Sequence, residues 1–272
     1  MYGGYRQPLW LVIGVVVLAV VAVVLTAVAL STAPHTQQAP ASAPSVPTPT
    51  EKAAPELDPE PLRPVRRLFD RPGPLTVSVL GDFTSDEGDE WVARWARQLA
   101  ETRTVTLHMW DGAAEQYAPP EVYGDFGQEV DIWNYSAADL GPAAPAEDIP
   151  VVQPEEPDLV VYNFGHTSRP GDIGGQLDST VEAVGERWGG PVQSLLMLQN
   201  PAREDLRIEQ SETVFYLRTF WSRASNVPAV NVFAAFRYAP GPVRGLLDGD
   251  QQPNDRGSRL WASLVTAALR TG

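Results

Sequence analysis

The stretch Leu75–Val92 reads LTVSVLGDFTSDEGDEWV and decides the fold class. Its first seven residues are mostly apolar and several are β-branched, which predicts a short strand buried on both faces. The strand ends at a Gly-Asp pair. The polar run after it leads into a segment that places Trp91 and Trp95 on one helical face. A buried strand followed by a helix is the repeating unit of an α/β domain with a parallel sheet.

The same alternation continues to the C-terminus. We predict further strands at Thr104–Trp110, Glu129–Asn134, Asp158–Phe164, Val192–Leu198 and Val227–Phe233, and helices at Ser85–Glu101, Gly174–Trp188, about Asp205–Ser225 and Asp255–Arg270. The last helix is predicted to be capped by Asp255. This order predicts a three-layer α/β sandwich with a mostly parallel sheet flanked by helices, as in flavodoxin-like folds. In such sheets, functional residues lie beyond the carboxyl ends of the strands.

A long apolar segment precedes the domain. Pro8–Ser31 contains no charged residue and is long enough to cross a bilayer as a helix, which needs about 20 apolar residues. Arg6 is the only charge before it, so residues 1–7 are predicted to be a short cytoplasmic tail and the domain to be extracytoplasmic. Cleavage near Ala27–Ala29, as in a secretory signal, remains the alternative. We therefore expect a single-pass protein of the cell membrane.

The segment between this span and the domain is dense in Pro, Ala, Ser and Glu over residues 32–74. Such a composition cannot bury enough apolar surface to fold alone, and its prolines favour an extended chain. It predicts a disordered, semi-rigid linker, with the folded domain over residues 75–272.

The composition excludes several function classes. The chain has a formal net charge of −14 and no cysteine. The acidity argues against nucleic-acid binding, because phosphates require clustered Lys and Arg. The absence of cysteine excludes disulfides and thiolate ligands. The sequence shows no histidine pair at helical spacing and no Gly-rich phosphate loop, so we expect neither a metal site nor a cofactor.

Four predicted strand or helix boundaries carry motifs that resemble, in order, the conserved blocks of the SGNH (GDSL-type) hydrolases. They are VLGDFTSDEGDEWV, VDIWNYSAADLG, LVVYNFGHTS and DGDQQPNDRGSRLWASLV. The segment LMLQNPARED also resembles the stretch between the third and last blocks. The most specific match is Pro253-Asn254 with Gly257 and Trp261. The resemblance covers essentially the whole domain and implies the SGNH fold.

The resemblance also implies acyl transfer, in which a serine attacks a carbonyl, a histidine takes its proton and an aspartate orients the histidine. This sequence departs from that pattern at the two most reactive positions. Phe83 follows Gly81-Asp82 where the serine belongs, and Gln252 stands where the histidine belongs. Phenylalanine has no hydroxyl, and glutamine cannot accept a proton near neutral pH.

The oxyanion positions depart as well. The family holds the oxyanion with the serine amide, a glycine amide and an asparagine side chain. The glycine falls at Ala137 or Ala138, and the asparagine and the aspartate after it fall at Thr167 and Ser168. Only the triad aspartate has a counterpart, at Asp248 or Asp250.

A relocated catalytic set remains an alternative. Ser85 lies two residues after Phe83, and His166 follows the strand Asp158–Phe164, so both could meet Asp250 near one site. His166 is the only credible general base in the domain. The competing interpretations are that Ser85 caps a helix and that His166 is an ordinary loop residue.

We therefore expect a membrane-anchored, extracytoplasmic, SGNH-like domain that is catalytically inactive and binds a ligand or partner in the cell envelope. The candidate binding residues are Asp82, Asn134, Gly165, His166 and Asn254. The partner would be an envelope carbohydrate, lipid or protein. The alternatives are an active esterase on envelope carbohydrate or lipid esters, and a structural accessory subunit of an envelope complex.

Overall fold

The computed structural model describes residues 59–203 and 207–270. The predicted span at Pro8–Ser31, the tail before it and most of the predicted linker lie outside these residues. Among the helices that the structure describes, none has the length and apolar character needed to cross a bilayer.

A central sheet of eight strands organises the domain. The strands are β1 (Leu75–Gly81), β2 (Arg103–Asp111), β3 (Gln116–Tyr117), β4 (Glu121–Tyr123), β5 (Gln128–Ser136), β6 (Leu159–Asn163), β7 (Ser194–Leu198) and β8 (Ala229–Asn231). Their order is β3-β2-β5-β1-β6-β7-β8, and β4 also pairs with β2. The strands β2, β5, β1, β6, β7 and β8 run parallel, whereas β3 and β4 are antiparallel to β2. The predicted mostly parallel sheet is confirmed.

The first strand lies in the middle of this sheet. Val79 is in register with Asn134 of β5 on one side and with Val161 of β6 on the other. Successive side chains of β1 point to opposite faces, so Val79 enters one apolar core and Leu80 the other. Burial on both faces explains why this strand is a nearly continuous apolar run.

Helices cover both faces of the sheet, as predicted. They are α1 (Pro59–Asp70), α2 (Trp91–Leu99), α3 (Ala144–Glu147), α4 (Ile149–Val152), α5 (Ile173–Trp188), α6 (Arg207–Tyr216), α7 (Ser222–Ala224), α8 (Val232–Tyr238) and α9 (Asp255–Leu269). A 3₁₀ turn at Val243–Leu246 leads into a small hairpin of β9 (Leu247–Asp248) and β10 (Gln252–Pro253). On the first face, Trp91 of α2 stacks on Trp261 of α9, with ring centroids 5.3 Å apart.

The folded domain begins earlier than the predicted linker boundary at residue 74. Helix α1 lies inside that segment, and Leu62, Val65 and Phe69 bury its apolar stripe against the first core. These positions follow helical spacing, but the surrounding prolines suggested a linker. Two of the prolines lie in the first turn of α1, where a missing N–H costs little because it would have no helical partner.

One predicted helix start and one predicted helix cap are corrected by the structure. Helix α2 begins at Trp91, not at Ser85, and the intervening residues form turns, with the Ser85 amide bonded to the Asp82 carbonyl at 3.2 Å. Helix α9 is capped by Asn254 and not by Asp255. The Asn254 Oδ1 accepts hydrogen bonds from the Arg256 and Gly257 amides, each at 3.0 Å. In both places, several neighbouring polar residues could cap, and only the backbone path selects one.

Two further predicted boundaries also shift. The predicted strand at Val227–Phe233 is only β8, because Asn231 accepts a hydrogen bond from the Ala234 amide and starts α8. The predicted helix at Asp205–Ser225 is not uniformly α-helical. Helix α6 continues through a π-helical turn at Leu217–Trp221 into α7.

The cap of α9 provides a test of the corrected boundary. Asn254→Ala removes the acceptor for two N-terminal amides and should lower the free energy of unfolding by about 0.5–2 kcal/mol. Asp255→Ala removes ion pairs to Arg94 and Arg259 that are at the surface, and should cost no more than about 1 kcal/mol. Urea unfolding of both variants measures the difference, and a larger loss for Asp255→Ala would contradict the assignment of the cap.

Candidate functional site

A buried polar cluster lies at the carboxyl ends of the central strands, where a parallel sheet of this kind places its working residues. Its members share nearly complete burial and side-chain hydrogen bonds with one another: Asp82, Thr84 and Ser85 after β1, Asn134 and Ser136 in β5, Asn163 in β6 and Gln199 after β7. A buried polar group is costly unless it is hydrogen-bonded, so this cluster constrains the loops that carry it.

Gln199 forms the centre of the cluster. Its amide nitrogen lies 2.9 Å from Asp82 Oδ1, 3.0 Å from Thr84 Oγ1 and 2.9 Å from the Asn163 carbonyl oxygen. Thr84 also donates to Asp82 Oδ1 from its hydroxyl, at 2.8 Å. One side chain therefore holds together the ends of β1, β6 and β7.

The hydroxyl of Ser85 points into this cluster and is fully buried. It donates to the hydroxyl of Ser136 at 2.9 Å and accepts from the amide of Asn163, also at 2.9 Å. Asn134 donates to the Ser85 carbonyl at 2.6 Å. A Cβ at position 81 would lie 2.6 Å from the Ser85 oxygen, which explains the glycine there. The Ser85 hydroxyl is thus a structural group with both hydrogen-bonding roles already filled.

Phe83 and His166 form the rim of the site. Their ring centroids are 5.6 Å apart, and the ring planes are inclined by 38°. The His166 Nε2 lies 3.4 Å from Asn200 Oδ1, and its Nδ1 is buried without a hydrogen-bond partner among the described residues. Burial lowers the pKa of His166, although the carboxyl of Asp82 partly opposes that shift. The imidazole is therefore expected to be neutral at physiological pH.

Asp82 differs from an ordinary surface carboxylate. Burial raises the pKa of Asp82, while the neighbouring His166 and the hydrogen bonds from Thr84 and Gln199 act in the opposite direction. Its Oδ1 accepts all the described hydrogen bonds, and its Oδ2 has no partner among the described residues. Asp82 is therefore part of the buried polar cluster rather than an exposed side chain available for binding.

The structure does not assemble the possible relocated triad. Ser85 is bonded within the cluster, His166 contacts Asn200 and Phe83, and the exposed Asp250 pairs with Arg203 at 3.1 Å. Within the described residues, no hydrogen bond joins Ser85 to His166 or His166 to Asp250. A nucleophile and its base need to be within about 3 Å of each other, or linked by one water molecule.

Four of the positions at which the sequence departs from the SGNH pattern have separate structural surroundings. They are Phe83, Ala137, Thr167 and Gln252. Ala137 lies in the turn after β5, where its carbonyl accepts from Leu140 at 3.2 Å. The Thr167 hydroxyl is buried and has no described partner. Gln252 donates through its side-chain amide to Glu90, while Phe83 faces His166. None of these contacts activates a hydroxyl.

The predicted binding residues are also distributed among different tasks. Asp82 and Asn134 belong to the buried cluster, and Asn254 uses its side chain to cap α9. Gly165 lies against Gln199, so a Cβ at position 165 would be only 2.8 Å from the Gln199 Oε1. Of the five candidates, Gly165 and His166 line a cleft.

This cleft is small. It encloses about 180 Å³ and is lined by residues 165–170 after β6, by three residues of α6 (Glu209, Gln210 and Thr213) and by Gln251. Pockets for small molecules usually enclose about 300–1,000 Å³. Within the part of the chain that the structure describes, no group of three or more His, Asp and Glu side chains is placed to hold a metal ion.

Sequence reasoning missed Glu90, Gln199 and Asn163. Gln199-Asn200 directly follows a fully buried, mostly apolar strand, and a polar pair at such a strand end was a usable signal. Glu90 gave no signal, because it lies among other acidic residues in a stretch that was predicted to be helical. Its carboxyl accepts from the Glu87 amide at 2.8 Å and from Gln252. Burial, followed by the charges of Asp86, Glu87 and Asp89, raises the pKa of Glu90 to about 9.

The fold is that of the GDSL/SGNH lipolytic hydrolases. A lipase/acylhydrolase from Enterococcus faecalis aligns with a TM-score of 0.53 and 16% identity, over 71% of this chain and 94% of that one. A G-D-S-L family lipolytic protein from Veillonella parvula gives 0.51 and 14%, over 71% and 97%. An acetylxylan esterase from Geobacillus stearothermophilus gives 0.52 and 13%, over 73% and 95%. These structural alignments establish the fold, whereas identities this low leave the activity open.

Sequence comparison adds nothing to this relationship. No protein-family model matches the chain, and no curated protein is significantly similar to it. The predicted resemblance to the SGNH hydrolases is confirmed by the structural relatives alone.

The central amide can be tested by substitution. Gln199→Leu removes the donor that joins Asp82, Thr84 and Asn163 and leaves buried acceptors unpaired, so it should lower the free energy of unfolding by about 1–3 kcal/mol. Gln193→Leu, at a partly exposed position just before β7, is the matched control and should change stability little. Equal urea midpoints for the two variants would show that the cluster does not hold the strand ends together.

The raised pKa of Glu90 predicts a pH dependence. Glu90 has an ordinary pKa of 4.5, which rises to about 9 in the folded chain. Between these values the folded chain keeps a proton that the unfolded chain releases, so the contribution of Glu90 to stability decreases as the pH rises. Glu90→Gln should remove this decrease, because a glutamine side chain does not titrate in this pH range. The amides of positions 90 and 252 can still bond to each other after Gln252 reorients.

Thermal unfolding between pH 5 and pH 8 measures this effect. The melting temperature of Glu90→Gln should rise relative to the unsubstituted chain as the pH increases, whereas the exposed control Glu101→Gln should follow the unsubstituted chain. Parallel pH profiles for all three proteins would contradict a protonated Glu90.

Proposed function

We propose, from the premise of an SGNH-type fold, that this chain is a membrane-anchored, extracytoplasmic domain that does not hydrolyse esters and acts by binding a partner in the cell envelope. The observation that carries the proposal is the environment of Ser85, the serine nearest in the sequence to the nucleophile position. Phe83 stands at that position, and the hydroxyl of Ser85 is fully buried between Ser136 and Asn163.

Acyl transfer needs a nucleophile that a substrate can reach and a base that can take its proton. The Ser85 hydroxyl fails the first requirement, because it is inaccessible and already donates to Ser136. The second requirement is not met at Ser85. Gln252 has no basic group, and the described hydrogen-bond contact of the His166 Nε2 is to Asn200 rather than to Ser85. These features together support the proposal that the domain does not carry out acyl transfer.

The size of the cleft beside His166 argues against a small ligand bound at that position. About 180 Å³ is too small for a typical metabolite or a sugar ester of several units. His166 lines this cleft, and its ring packs against Phe83. Binding would then use the surface of the domain, with the cleft contributing at most a subsite.

The proposed location depends on the apolar segment Pro8–Ser31, which has the length and lack of charge of a membrane span. The positive-inside tendency would place the folded domain outside the cytoplasm. A domain tethered in this way meets its partners at the membrane surface or in the layer beyond it.

Reaction with a fluorophosphonate probe, which modifies activated serines, tests the lack of catalysis. The full-length protein in detergent should remain unlabelled, as should Ser85→Ala, because no serine hydroxyl among residues 59–203 and 207–270 is hydrogen-bonded to a histidine. Thermal unfolding must show that both proteins are folded. The matched variant Ser168→Ala removes the serine hydroxyl among the residues that line the cleft.

Each outcome of this experiment has a definite meaning. Labelling of the unsubstituted protein that disappears in Ser85→Ala would establish a relocated nucleophile and an active esterase. Labelling that disappears in Ser168→Ala would establish a different nucleophile in the cleft, and would equally overturn the proposal. A folded, unlabelled protein supports a binding role.

A further inference from the structure

The outer face of α6 and of the π-helical turn after it exposes three large apolar side chains. Ile208 is 70% exposed, Phe215 61% and Phe220 55%. We refer to these three residues as the aromatic ridge. Single exposed apolar residues are common on protein surfaces, but a contiguous group on one element usually marks an interaction site.

The π-helical turn creates the ridge. In an α-helix with 3.6 residues per turn, side chains five positions apart point in clearly different directions. The wider turn at Leu217–Trp221 closes with a Ser222 amide bonded to the Leu217 carbonyl, five residues earlier. This turn brings Phe220 beside Phe215, with ring centroids 6.0 Å apart. π-helical turns are rare and occur frequently at functional sites.

The packing of the domain does not require the ridge. The opposite face of the same segment supplies Val214, Leu217 and Trp221 to the second core. The described ring contacts of Phe215 and Phe220 are with each other and with Tyr216 of the same helix. The fold therefore fixes the segment firmly through its inner face and leaves the outer apolar face available.

The charge around the ridge differs from that of the whole chain. The formal net charge of the chain is −14, whereas residues 208–224 carry two glutamates and two arginines, Arg218 and Arg223, and are neutral overall. Phenylalanine and isoleucine together with arginine are typical of segments that lie in the headgroup region of a bilayer, where the rings enter the acyl boundary and the charges remain in water.

We propose that the aromatic ridge inserts into the lipid–water interface of the membrane that carries the N-terminal anchor. This inference rests on the membrane anchoring in the proposed function. The predicted linker before α1 comprises residues 32–58, which is 27 residues. A Pro-rich chain of this length spans roughly 85 Å as an extended spacer and at most about 95 Å. The tether therefore keeps the ridge within this distance of the bilayer and converts weak apolar contact into an intramolecular event.

The absence of cysteine allows a site-specific test. Phe220→Cys and the control Phe126→Cys, which is similarly exposed at 57% beside β5, are each labelled with an environment-sensitive fluorophore in the full-length protein. The labelled proteins are reconstituted into phosphatidylcholine vesicles with and without a lipid that carries a quencher. The label at position 220 should show blue-shifted emission and lose most of it to the quencher lipid. The label at position 126 should show neither change, and Phe215→Ser should reduce the quenching at 220.

The outcomes separate this inference from the proposed anchoring. Vesicle flotation first shows whether the full-length protein associates with lipid, and a failure to float overturns both. Flotation without quenching at position 220, or with equal quenching at 220 and 126, overturns the ridge inference and leaves the anchoring intact. A blue shift at 220 that depends on protein concentration and not on lipid indicates that a second copy covers the ridge, which also overturns the inference.

Discussion

The site depends on one buried amide, the side chain of Gln199, which joins the ends of β1, β6 and β7 through Asp82, Thr84 and Asn163. These loops begin where adjacent parallel strands end, so nothing in the sheet itself fixes their relative positions. Hydrogen bonds in such a low-dielectric setting are strong, and each unpaired member would be costly. The amide therefore sets the shape of the edge where this fold normally carries out chemistry.

That constraint has a consequence for function. A catalytic hydroxyl must be exposed, and its hydrogen bond must be available to a base, so an active site sacrifices stability for reactivity. Here the Ser85 hydroxyl is satisfied by Ser136 and Asn163, and Phe83 packs against His166. The groups that could have been strained or reactive instead stabilise the edge. This arrangement is the basis of the proposed binding role.

The buried strands were predictable, because burial on both faces leaves an apolar run such as Leu75–Gly81 between polar turns. Helix ends were less predictable. Ser85 and Asp255 have the residue types of caps, yet the chain path places Ser85 in the core and gives the cap of α9 to Asn254. The polar pair Gln199-Asn200 marked a strand end, but the partners of Gln199 could not be predicted, since its contacts with Asp82 and Thr84 join residues more than a hundred positions apart in the sequence. The π-helical turn in the α6 segment likewise has no local composition signal.

The same long-range contacts explain why single substitutions would not restore the family chemistry. A serine at position 83 would lack the base of the family pattern, because Gln252 is neutral and donates to Glu90. A histidine at position 252 would replace the amide that now donates to Glu90, whose buried carboxyl accepts from the Glu87 amide and has a pKa of about 9. Thr167 would still lack the side-chain amide that the asparagine of the family pattern offers to the oxyanion. Restoring the residues of the family pattern would therefore require coordinated change at several loops, each of which is held by contacts within this chain.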